Sequence, residues 1–204
     1  MEKQIFSFKN DARFGPLFLI GHSQGSLVGM LSITPDINGF ISIAGPGQSI
    51  DNTIMEQLHN QNPDLAKLAE EHFTELMKTD TIVSVHPFLM QLFKPQNQSF
   101  IKSWIVLDPV AEIKRINIPI LLLNGEKDLQ VTQRDFQKLK EAQPNAKAEL
   151  VPHMNHVLKE VYSTSDNQKS YFQEDFPLSS TLVDIITAFI NPWIWARKKP
   201  SPYG

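Results

Sequence analysis

Apolar residues gather in four short runs, 17–20, 40–44, 120–123 and 148–151, bounded by Gly, Pro or Asn. The first three are nearly continuous rather than alternating, the pattern of strands covered on both faces in a parallel sheet. Helical spacing fills the intervals. Ser26 to Ile33 can form a helix after the first run, Thr132 to Ala142 after the third, and Ser180 to Ile190 closes the series. Strand and helix thus alternate in the order expected of an α/β fold with a mostly parallel sheet.

Residues 45–118 are too long for an ordinary connection, so an inserted substructure is expected there. Asn62-Pro63-Asp64 offers an N-cap, a proline at the first helical position and an early acid. Leu65, Ala69, Phe73 and Leu76 follow at helical spacing, which predicts a helix from about Pro63 to Lys78, with another near Asp51 to His59. Glu70, Glu71 and Glu75 lie opposite that stripe and read as a solvated face. His86 to Met90, Phe93, Phe100 and Trp104 can line an apolar pocket or pack the insertion onto the sheet. The tail from Asn191, with Trp193, Trp195 and the basic run Arg197 to Lys199, shows no regular pattern.

Composition narrows the class. The 204 residues are 41% hydrophobic and 20% charged with net charge −3, a globular profile without the basic excess that a nucleic-acid partner requires. The absence of cysteine removes disulfide scaffolds, thiolate metal sites and cysteine nucleophiles. His59, His72 and His86 lack metal-ligand spacing, so no metal or other cofactor is expected. The apolar runs fall far short of the ~18 residues of a membrane span. Residues 1–16 lack the apolar core of a signal peptide, which favours a cytoplasmic location while leaving it undetermined.

The chemistry concentrates at Gly21-His22-Ser23-Gln24-Gly25, directly after the first strand and before a helix. G-x-S-x-G in that setting holds a serine on a tight, strained turn, and flanking glycines let strand and helix approach closely. A serine hydroxyl needs a base and a group that fixes the base's tautomer. Asp128, with Glu126 as rival, follows the third strand, and His156, with His153 as rival, follows the fourth. Both loops lie at strand carboxyl ends, where open α/β sheets bind ligands. The chain order Ser23, Asp128, His156 is that of α/β-hydrolases. His22 reads as packing beside the sheet.

The chain resembles an α/β-hydrolase, and more closely the branch of serine-aminopeptidase-like carboxylesterases. The resemblance rests on Gly21 to Ser26, on Asp108-Pro109 with Ile118 to Leu121 leading to Gly125-Glu126-Lys127-Asp128, and on Asn155-His156-Val157-Leu158-Lys159. It implies one α/β-hydrolase domain over residues 1–204, with residues 45–118 as a helical cap. It also implies Ser23 as nucleophile, His156 as base and Asp128 as its orienting acid, and it selects the last two over His153 and Glu126. The Gln24 N–H becomes an oxyanion donor. The substrate expected is a small-molecule ester or acyl compound, cleaved through an acyl-enzyme. A peptidase or thioesterase would use the same residues, and the rival from another class is an inactive remnant serving as an interaction module.

The family's sheet has eight strands, with the serine after the fifth. Here only 22 residues precede Ser23, room for at most one earlier element. The first four strands, and the loop that supplies the second oxyanion donor, therefore have no counterpart. A truncated gene model, a degenerate gene and a half-fold completed by another chain are the three explanations. Without its neighbour, the first strand is expected to offer an apolar edge for self-association.

Overall fold

A computed structural model describes residues 2–9, 11 and 13–196. The elements are α1 (Glu2–Lys9), β1 (Leu17–His22), α2 (Gln24–Met30), β2 (Ile37–Ile43), α3 (Ile50–Gln61), α4 (Pro63–Thr79), α5 (Met90–Phe93), α6 (Pro95–Ile105), α7 (Pro109–Lys114), β3 (Ile120–Gly125), α8 (Gln133–Ala142), β4 (Lys147–Val151), α9 (Thr164–Lys169) and α10 (Ser180–Ala196). The strands form one sheet in the order β1-β2-β3-β4, with every pair parallel.

The continuous apolar strands have the physical consequence their pattern predicts, because successive side chains leave opposite faces of a strand. Phe40, Ile120 and Leu122 enter one cluster with Leu27 and Met30 of α2, Ile113 of α7 and Phe136 and Leu139 of α8. Ile41, Ile43, Leu121 and Leu123 enter the other with Val151, Met154 and Leu182. Every residue of β3 is buried. β1 lies at the edge, and its Ile20 is 54% exposed.

The insertion forms a helical layer with a third cluster, in which Ala69, Phe73 and Leu76 of α4 meet Leu89, Phe93 and Ile101. Asn62 caps α4 by accepting a hydrogen bond from the Leu65 N–H at 3.1 Å, and Pro63 occupies the first turn. Glu70 and Glu71 are exposed, while Glu75 accepts from the Val83 N–H at 3.0 Å. Leu89 and Phe93 pack inside this layer, Trp104 packs against the sheet cluster, and Phe88 is almost fully exposed. The end of the insertion packs differently from the rest: α7 buries Ile113 against the sheet.

The tail departs from the sequence expectation. α10 runs through Pro192 to Ala196, and the Trp193 ring meets Phe18 edge-on, with centroids 6.2 Å apart. Aromatic contact with β1 holds in helical form a stretch whose local pattern is irregular. Arg197, Lys198 and Lys199 lie outside the described residues. Among the described residues, no helix is long and apolar enough to cross a membrane.

Candidate active site

Three sequence features converge at the carboxyl end of the sheet. The first is the turn from β1 into α2. Ser23 has φ 54° and ψ −125°, a conformation that costs a non-glycine residue of order 1–3 kcal/mol and persists only where its surroundings enforce it. Here the Ser23 N–H donates to the Ile43 carbonyl at 2.9 Å, and the Ser26 N–H donates to the Ser23 carbonyl at 2.9 Å. Close approach requires glycine at position 21, where a Cβ would fall 2.3 Å from the Gly25 carbonyl oxygen. Gly25 differs from expectation, since a Cβ there meets nothing within 4 Å. Its backbone, rather than a missing side chain, is what Gly21 approaches. Gln24 is the first residue of α2, so its N–H belongs to the helix turn that has no carbonyl of its own helix to reach.

The second feature is the loop after β3. Asp128 Oδ1 accepts from the N–H groups of Gln130 at 2.8 Å and Val131 at 2.9 Å, which fixes the carboxylate and leaves Oδ2 to face the third feature. That is His156, in the loop after β4, whose Nδ1 lies 2.9 Å from Asp128 Oδ2. An acceptor carboxylate makes Nδ1 the protonated nitrogen and leaves Nε2 with its lone pair. Both side chains are buried. The two loops also touch directly: the Lys127 N–H donates to the Met154 carbonyl at 2.9 Å, and a Cβ on Gly125 would fall 2.1 Å from that same oxygen.

The rivals stand apart. His153 is exposed, has φ 58° and lies against Tyr162, the rings tilted by 37° with centroids 4.5 Å apart. Glu126 is exposed. His22, read from the sequence as packing, has a more specific place: its Nε2–H donates to the His156 carbonyl at 2.8 Å and its ring lies 4.9 Å from the His156 ring. Burial depresses the His22 pKa below its ordinary 6.5; the hydrogen bond to His156 opposes this, the neighbouring imidazole adds to it and the Asp128 carboxylate opposes it.

Asp128 and His156 are thus brought together. Ser23 lies beside them through His22, while among the described residues no hydrogen bond joins Ser23 Oγ to His156. Catalytic hydrogen bonds are often open before substrate binds. The insertion reaches the acid loop through the Gln57 side chain, which donates to the Gln130 carbonyl at 3.0 Å. A cleft of about 660 Å³ between the insertion and α8 is lined by Gln48, Leu107, Lys114 and Lys138 among others, and by none of Ser23, Asp128 and His156.

No family model matches the chain. Esterase EstD of Thermotoga maritima is 29% identical over 152 residues, which take in 70% of this chain and 35% of the esterase. The chain therefore spans about a third of the length of that curated relative. Among solved structures, Est1E from Butyrivibrio proteoclasticus superposes with a TM-score of 0.55 at 14% identity, over 94% of this chain and 67% of that one. The Pyrococcus furiosus esterase PF2001 gives 0.52 at 16% identity, over 94% and 60%.

Proposed function

We propose that this chain, which has an α/β-hydrolase fold, carries the nucleophile, base and acid of a serine esterase acting on small carboxylic esters. The observation that carries the reading is the strained Ser23 turn set at the same sheet end as the Asp128–His156 pair. The likeness to an esterase at 29% identity supports the same reading.

Ser23 Oγ attacks the ester carbonyl while His156 Nε2 takes its proton. Asp128 keeps the imidazole in the Nδ1–H tautomer and balances the imidazolium that forms. The Gln24 N–H donates to the oxyanion. Collapse of the tetrahedral intermediate expels the alkoxide, which leaves as alcohol with the proton from His156. Water then repeats the sequence on the acyl-enzyme, with His156 as base, and releases the acid. Asp128 Oδ1 stays bound to two backbone N–H groups throughout, so the carboxylate turns nothing but its Oδ2 to the histidine.

A fluorophosphonate probe tests the reading together with p-nitrophenyl acetate turnover. Ser23 should be the labelled residue, and Ser23→Ala should lose labelling and of order 10⁴ to 10⁶ in rate. Turnover by the variant close to that of the parent would end the serine-esterase reading.

A further inference from the structure

Beneath the Asp128–His156 pair lies a set of buried polar side chains that the catalytic steps do not use. Asn155 is wholly buried, and Asn167 and Ser170 are each 4% exposed. The Asn155 amide donates to Asn167 Oδ1 at 2.9 Å and to Ser170 Oγ at 2.7 Å, while its Oδ1 accepts from the Lys159 N–H at 3.0 Å. The Ser170 hydroxyl donates to the backbone carbonyl of Asn167 at 2.8 Å. The Asn167 amide then donates to the Lys127 carbonyl at 2.8 Å.

The termini of this chain of bonds are informative. Asn155 precedes His156 in sequence, and Lys127 precedes Asp128. One face of α9 therefore grips the backbone beside the acid and the side chain beside the base. The Asn155 amide uses both of its donors and its acceptor, and the Asn167 amide uses one donor and its acceptor, so rotation of either breaks at least one bond at a site closed to water. The base loop needs such a hold, since His153 at φ 58° and Leu158 at φ 63° are left-handed residues without the freedom of glycine.

We propose that Asn155 of the base loop, Asn167 of α9 and Ser170 at its C-terminal end form a clamp that sets the register between the Asp128 and His156 loops, with Asn167 as a positioning residue for the reaction. The proposal rests on the esterase reading for its rate effect, but not for its effect on the histidine. Asn167→Asp separates the functions at nearly constant volume. A carboxylate oxygen still accepts from Asn155, whereas the group facing the Lys127 carbonyl becomes an acceptor and pushes the acid loop away.

The test measures p-nitrophenyl acetate kinetics and the low-field Nδ1–H proton resonance of His156 in parent, Asn167→Asp and Ser170→Ala. The expected result for Asn167→Asp is a shifted or lost resonance, with kcat lower by about 10²-fold and KM within about twofold. Ser170→Ala leaves Asn155 one of its two acceptors, so its resonance should shift less and its kcat fall by less than about tenfold. Folded Asn167→Asp with resonance and kcat both like the parent overturns the clamp. If Asn167→Asp does not fold, Ser170→Ala decides by the same readouts, and no change in either overturns it. A parent lacking the resonance overturns it too, because the pair to be positioned is then not formed. A parent that shows the resonance but hydrolyses no ester defeats the esterase reading alone, and the resonance in the variants still judges the clamp.

Discussion

His22 adjoins the nucleophile in sequence and the base in space, and its ionisation is set by burial and by its neighbours His156 and Asp128. With its pKa held below 6.5 in the folded chain, chiefly by burial, the unfolded chain takes up the proton first as pH falls. Stability is then fully present above about pH 6.5 and declines as pH drops from there through the folded pKa. His22→Gln keeps a donor near the Nε2 position and removes the titration. Urea unfolding from pH 7.5 to 5.5 should therefore show a shallower fall in stability for the variant. An equal or steeper fall would show that His22 does not carry this dependence. At the same turn, the two glycines should respond in opposite ways. Gly21→Ala drives a Cβ into the Gly25 backbone and should cost at least about 1–3 kcal/mol. Gly25→Ala meets open space inside a helix and should be neutral or stabilising by up to about 1 kcal/mol. Thermal melts of the two variants read the difference directly.

Between elements, one polar tie from α8 to the chain entering the inserted helices runs through a single carboxylate. Asp135 on α8 accepts from the Gly47 N–H at 3.0 Å with Oδ1, while Oδ2 accepts from the Thr132 N–H at 3.1 Å and hydroxyl at 3.0 Å. It thus closes the N-terminus of α8 and pins the chain as it leaves β2 for α3. Asp135→Ala removes a capping interaction and strands a buried N–H, for an expected loss of about 2–4 kcal/mol by urea unfolding at pH 7. A loss under about 0.5 kcal/mol would mean that water or another acceptor replaces it. Elements of this kind differ in how far the sequence reveals them. The strands were legible because their apolar runs are bounded by Gly, Pro or Asn and, in the first three, nearly continuous, and α4 because its cap and stripe are both local. α6 and α7 begin at Pro95 and Pro109 and carry little apolar periodicity, so the proline reads as a break where it in fact opens a helix. The positions of Asp128 and His156 at strand ends were legible too, and their hydrogen bond is where that placement leads. Asn155, Asn167 and His22 were not. Apart from the Lys159 N–H beside Asn155, the partners of their side chains named above are 12 to 134 residues away, and only the assembled fold brings them within reach.

At the scale of the whole molecule, the sheet is asymmetric. β3 is enclosed by strands on both sides and helices on both faces, whereas β1 pairs on one side alone. β1 offers Leu17-Phe18-Leu19-Ile20 without a charged or proline residue among them, and its pairing with β2 is irregular only between Leu17 and Phe18, so beyond that point it lacks the bulges, prolines and charges that keep free edges from pairing. Val28 and Leu31 on the adjoining α2 are 41% and 49% exposed, which extends the apolar surface beyond the edge itself. Residues 1–204 alone should therefore associate with increasing concentration, through backbone pairing along β1. Ile20→Lys places a charge on the edge strand at a position already open to solvent, so it should suppress association with little loss of fold stability. Sedimentation velocity over a range of concentrations, run beside circular dichroism, distinguishes the cases. A monodisperse monomer at all concentrations would show that the edge is closed by residues of this chain, whereas association unaffected by Ile20→Lys would place the contact elsewhere, with the Val28 and Leu31 surface the next to substitute.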